Sequence, residues 1–129
     1  MKEILESFEK SLHRLEDVLQ DKKTVKTRDA SIKRFEFTVE LAWKSAQKFL
    51  RKQEIVCRSP KECLREAFKF GLAADDARWV QMFEDRNLTA HTYDEETADE
   101  VYNRLPSYLA ILNGLKEKLM NERPEKTKG

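Results

Sequence analysis

Residues 29–53, DASIKRFEFTVELAWKSAQKFLRKQ, carry the pattern that decides the fold class. Ile32, Phe35, Val39, Ala42, Ala46 and Phe49 recur at three- and four-residue steps, with Trp43 and Leu50 widening the stripe. That is the period of one helix face and not of a strand. Phe37 and Leu41 lie off the stripe and give the helix a second apolar surface. Core packing against a neighbouring helix is the first reading of that surface, and contact with another subunit is the second.

The same rhythm extends outward in both directions. Leu5, Phe8, Leu12, Leu15 and Leu19 define a preceding helix that ends near the charged turn Gln20–Thr27. Ser59-Pro60-Lys61-Glu62 reads as a helix start, with Ser59 as cap, Pro60 in the first turn and Glu62 closing a capping box; this short helix reaches about Gly71. Asp75 or Asp76 can cap a fourth helix through Trp79, Val80, Met82 and Phe83 that frays near Thr89 or Ala90. Asp94 caps a last helix marked by Val101, Leu105, Tyr108, Leu112, Leu115 and Leu119, in which Pro106 removes one backbone donor and predicts a kink. No segment alternates at period two, so the chain reads as all-α, one domain over residues 1–120 followed by a disordered tail over 121–129.

Composition narrows the function classes. The 129 residues hold 25 Lys and Arg against 24 Asp and Glu, so no overall field draws the molecule onto nucleic acid or an anionic membrane, and any RNA contact has to be local. Charges interrupt every apolar stretch and the N-terminus lacks a signal-peptide core, which predicts a cytoplasmic protein with no membrane association. Cys57 and Cys63 read as buried or idle thiols, and with His13 and His91 as the sole histidines they do not make a zinc site. No metal and no cofactor is assigned.

Reactive side chains gather at short spacing in Arg86-Asn87-Leu88-Thr89-Ala90-His91-Thr92-Tyr93. An Arg that clamps a phosphate, and a His that exchanges a proton near neutral pH, suffice for metal-free RNA cleavage by attack of the neighbouring 2′-hydroxyl. On an ideal helix five residues turn about 500°, which leaves Arg86 and His91 about 140° apart. They converge only if the helix unwinds or a second subunit supplies one of them. The plain alternative is a salt bridge and a helix-dipole partner at a helix end. Elsewhere, Lys33, Glu36, Glu40 and Lys44 read as a solvated face, with a polar groove as the alternative; Trp43 and Trp79 read as core, with stacking of a base as the alternative, and His13 as a surface or boundary residue.

Three blocks carry a family resemblance: Arg34 to Lys44 (RFEFTVELAWK), Ser59 to Ala67 (SPKECLREA) and Glu84 to Tyr93 (EDRNLTAHTY). They resemble successive blocks of the nucleotidyltransferase substrate-binding family within the HEPN superfamily, whose signature is an Arg and a His separated by four to six residues. The resemblance implies an antiparallel bundle of four main helices with an additional short helix, a homodimer, and a separately encoded minimal nucleotidyltransferase as partner. It also implies a toxin–antitoxin pair in which an RNase is silenced by attachment of AMP. Carried over position by position, Arg86 is the phosphate clamp, His91 the acid/base, Asn87 a polar aid and Tyr93 the modified residue. The alternative role is a non-catalytic subunit that binds substrate for the transferase.

Overall fold

The computed structural model describes residues 1–91 and 94–122, and over these it is five α-helices with no strand. They are α1 (Lys2–Gln20), α2 (Val25–Lys52), α3 (Pro60–Phe70), α4 (Ala77–His91) and α5 (Glu95–Asn121). None is long and apolar enough to cross a membrane.

The order of cross-helix partners gives the topology. Ser11 of α1 bonds Thr38 of α2, while the Thr27 hydroxyl near the start of α2 reaches the Lys22 carbonyl just after α1, so these helices run antiparallel. Glu36 and Glu40 of α2 meet Thr89 and Arg86 of α4 in reversed order, which makes α4 antiparallel to α2. Arg28 meets Glu95, and seven residues on Phe35 stacks on Tyr108 at 5.6 Å, so α5 runs with α2. The four long helices therefore alternate in direction, and α3 is the additional short helix.

One core fills the bundle. Phe8, Leu12 and Leu15 of α1, Ile32, Phe35 and Val39 of α2, Met82 of α4, and Val101, Leu105 and Leu112 of α5 are all buried. Truncating a residue such as Phe35 to Ala costs roughly 3–5 kcal/mol through lost transfer energy and the cavity left behind.

Three expectations are corrected. First, α2 begins at Val25, inside the stretch read as a charged turn, because Thr24 and Thr27 cap each other: each backbone N–H donates to the other's hydroxyl, at 2.8 and 3.1 Å. Threonine at the third helical position replaces the acid or amide that usually marks such a box. Second, Cys57 and Cys63 form a disulfide rather than idle thiols. The chain turns back into α3 at Ser59, bringing both buried side chains together with their Cα atoms 5.1 Å apart. Third, Phe37 is 51% exposed rather than core, although Leu41 packs partly against the core.

The Ser59 cap and Pro60 in the first turn of α3 are as read, with Ser59 accepting from the Glu62 N–H, but Glu62 does not close the box on the cap: its carboxylate accepts from the Arg58 N–H, one residue ahead. Gly71 ends α3 at φ +92°, where any side chain would be strained, and Leu72 bonds back to Ala67 at 2.9 Å. Pro106 is exposed, and α5 continues through it to Asn121. The tail residues 123–129 lie outside the described residues.

Candidate functional site

The site is built on α4, whose orientation is fixed from within. Asp85 sits three residues after buried Met82, on the side of the helix that faces the core. It is 4% exposed, accepts two bonds from Arg104 at 2.8 Å each, and takes a third from the Tyr108 hydroxyl at 2.6 Å. A buried carboxylate is tolerated because every strong donor nearby is aimed at it. Burial pushes the Tyr108 phenol far above its ordinary range, reinforced by Asp85, while Asp85 pushes the Arg104 guanidinium up against the smaller opposing effect of burial.

With Asp85 facing α5, the next residue faces α2. Arg86 donates to Glu40 Oε1 at 3.2 Å, and its other terminal nitrogen lies 3.4 Å from the Asn87 carbonyl oxygen, a weak contact. One turn on, Thr89 donates to Glu36 at 2.6 Å. The residues read as a solvated face thus hold the motif helix: Glu36 and Glu40 grip α4, while Lys33 and Lys44 stand at their backs at 4.0 and 3.1 Å. Glu40 is the hub, accepting from Lys44, Arg86 and the Trp43 indole N–H. Burial raises its carboxyl, but the bonds from Lys44 and Trp43, with the charges of Lys44 and Arg86, outweigh that and hold it below the ordinary range.

Trp43 is half-buried: it packs against the core, as read, and also lines a cavity of about 270 Å³ with Arg86, Asn87, Lys61 and Phe83, whereas Trp79 is core at 2% exposure. Ser59 and Pro60, where the chain enters α3, complete the lining of this cavity.

His91 is the last residue of α4 and is exposed. The helix is unbroken from Arg86 to His91, so the two side chains are about 140° apart around the axis and about 7.5 Å apart along it. One chain brings together Arg86, Asn87, Glu40 and Trp43 but not His91. Val80, Glu84, Leu88 and His91 fall on one exposed stripe of α4, and Val80 and Leu88 are 48% and 41% exposed. Tyr93 lies outside the described residues. Among the described residues, no group of three or more His, Cys, Asp or Glu could hold a metal ion.

Sequence reading missed Asp85 and Arg104, and it placed Tyr108 on the apolar face of the last helix without its partner. A signal existed: Asp85 falls on the apolar side of α4 beside Met82, and an acid there demands a buried partner, which the four-residue spacing of Arg104 and Tyr108 supplies.

A family profile described as nucleotidyltransferase substrate binding protein like matches residues 3–121. Among curated proteins, the chain is 37% identical over 94 residues to "Probable ribonuclease HepT" of Haemophilus influenzae, covering 69% of this chain and 64% of that protein. Among solved structures, a Thermus thermophilus protein superposes with TM-score 0.80 at 39% identity, covering 90% of this chain and 99% of that one. A Haemophilus influenzae protein, described as revealing the fold of a substrate binding domain of a nucleotidyltransferase, superposes with TM-score 0.79 at 28% identity, covering 90% and 98%.

Proposed function

The chain belongs to the nucleotidyltransferase substrate binding protein-like family, and from that premise we propose that it is a metal-independent endoribonuclease, the toxin of a pair whose antitoxin is a separately encoded minimal nucleotidyltransferase. The observation that carries this reading is the α4 motif: Arg86 lines a cavity and is paired with Glu40, on a helix anchored to α5 through Asp85, with His91 exposed at the helix end. The naming of a relative as a probable ribonuclease supports it. In the reaction, the 2′-oxygen attacks the adjacent phosphorus and the 5′-oxygen leaves, giving a 2′,3′-cyclic phosphate and a 5′-hydroxyl end. His91 moves a proton at the attacking or leaving oxygen, and Arg86 stabilises the charge gathering on the phosphoryl oxygens. No step needs a redox change or a metal.

Because α4 keeps His91 away from Arg86 in one chain, the active form is a homodimer in which the exposed stripe of α4 meets a second copy. Silencing follows from AMP attached to Tyr93, two residues after His91: its bulk and negative charge stand where the RNA phosphate has to enter. The second reading, a non-catalytic subunit that binds substrate for the transferase, is favoured by one specific observation: Arg86 is already paired with Glu40.

Purified protein is expected to cut RNA in the presence of a chelator, and Arg86→Ala or His91→Ala to lower the rate by about 10²-fold or more with helical content unchanged. Binding without cutting by the intact protein selects the second reading. With the partner transferase and ATP, intact-mass spectrometry is expected to show one AMP on the wild type and none on Tyr93→Phe; the same adduct on both removes Tyr93 from the scheme.

A further inference from the structure

The indole of Trp43 packs against the core but is only half-buried. It forms one wall of the cavity of about 270 Å³ beside Arg86, and a second cavity of about 370 Å³ continues from it. The two share Lys61, Phe83 and Asn87, so they form one trough running between α3 and α4, and its far half adds Arg65 and Phe68. Together the two halves lie within the roughly 300–1,000 Å³ of small-molecule sites.

We propose that this trough is a nucleotide subsite in which the base stacks on Trp43 while Arg86 and Lys61 take the phosphates on either side. The inference rests on the reading of Arg86 as a phosphate clamp and adds to it the place where the neighbouring base lies. Three observations carry it. Trp43 is fixed before any ligand arrives, because its N–H is bonded to Glu40 at 3.3 Å, so stacking costs little ordering. Apolar surface from Trp43 and Phe83 is flanked by the cations Lys61, Arg65 and Arg86 against the acids Glu40 and Glu84, the mixture of aromatic platform and basic edge that suits single-stranded nucleic acid. Glu40 also links the base and phosphate positions, since its Oε1 touches both Trp43 and Arg86. A phosphate arriving at Arg86 displaces this carboxylate, leaving Glu40 to Lys44 at 3.1 Å. The trough runs past Asn87 instead of closing around one nucleotide, toward Val80 and Glu84 on the stripe that meets the second copy in the proposed dimer, so a strand as the ligand leads from the subsite to the subunit contact.

The test uses full-length His91→Ala protein, so that RNA stays intact. A short single-stranded oligoribonucleotide, AMP and ATP are titrated separately at low ionic strength while Trp emission is followed. The expected result is quenching by the oligoribonucleotide that is lost when Trp43→Phe is added, because the remaining Trp79 is buried. Trp43→Leu is expected to weaken binding of labelled RNA by about ten-fold, in line with the stacking energy of a single base. Lys61→Glu, at an exposed position that leaves the core untouched, is expected to weaken it several-fold. Quenching by AMP or ATP equal to that by the oligomer still supports the subsite, and identifies free nucleotide as its source. Quenching that persists in Trp43→Phe, absence of quenching by all three probes, or an unchanged RNA affinity in both Trp43→Leu and Lys61→Glu would overturn it. Quenching by RNA in a protein whose wild type never cuts leaves the subsite standing and removes the nuclease reading instead.

Discussion

At the scale of single residues, the site turns on two acids that do opposite work. Glu40 pairs with Arg86 and, on the proposed function, competes with phosphate for it, so Glu40→Gln is expected to tighten RNA binding by up to about five-fold, the worth of one partly exposed ion pair. Anisotropy with labelled RNA reads this, and an unchanged or weaker affinity means that Glu40 does not hold Arg86 in reserve. Asp85 is buried against Arg104 and Tyr108 and serves to orient α4. Asp85→Asn removes the charge that Arg104 and Tyr108 are aimed at, and is expected to cost roughly 2–4 kcal/mol in urea unfolding, reduced from the fully buried case because Arg104 keeps some access to water. A shift below about 1 kcal/mol would show that water replaces the network. Arg86, Asn87 and His91 stand out in the sequence because reactive types at short spacing need no tertiary information. Asp85 does not, because its importance comes from residues nineteen and twenty-three positions away.

At the scale of elements, helix ends decide more than helix middles. The apolar period marks all five helices, but the start of α2 is hidden because two threonines close the box. Likewise, the partner of Cys57 depends on how the chain turns into α3, which spacing alone does not encode. The end of α2 is strained: Glu54 sits at φ 65° where Ile55 bonds back to Leu50 at 2.9 Å, a place that favours glycine. Glu54→Gly is expected to stabilise the fold by about 0.5–1 kcal/mol in urea unfolding, the relief exceeding the entropy added to the unfolded chain. The N-terminal ends of α2 and α5 are clamped by Arg28, 3% exposed, which reaches Glu95 at 2.7 Å and Asp99 at 3.2 Å. The bond from Arg28 holds the Glu95 carboxyl below its ordinary range, and bonds from Lys23 and then Arg28 do the same for Asp99. Folded protein therefore binds these protons less readily than the unfolded chain. The clamp is at full strength above the ordinary carboxylate values of 4.5 and 3.8, and is lost as pH falls below them toward the lowered values. Arg28→Met is expected to lower the melting temperature at about pH 7, with the gap to wild type closing on acidification toward about pH 3. A gap independent of pH would place the effect in packing.

At the scale of the whole molecule, the proposed function makes one chain half of a reaction centre, because α4 is unbroken from Arg86 to His91 and sets the two side chains on different sides of the helix. Near-zero net charge also means that, on that proposal, RNA has to be held locally and not by a general field. A composite site has a consequence that no single variant tests. If Arg86 of one copy works with His91 of the other, a dimer pairing Arg86→Ala with His91→Ala contains one site with both native groups and one with neither. Random exchange between equal amounts of the two inactive proteins makes half the dimers mixed, each with one working site of two, so about a quarter of wild-type cutting is expected to return. If both groups act within one chain, every chain in the mixture lacks one of them and nothing returns. Leu88→Asp, on the exposed stripe of α4, separates the alternatives further: it is expected to yield monomers by light scattering and to abolish recovery while leaving Arg86 and His91 in place. A Leu88→Asp monomer that still cuts RNA would show that a single chain closes the site by itself, and the separation imposed by the unbroken α4 would then have to be overcome when RNA binds.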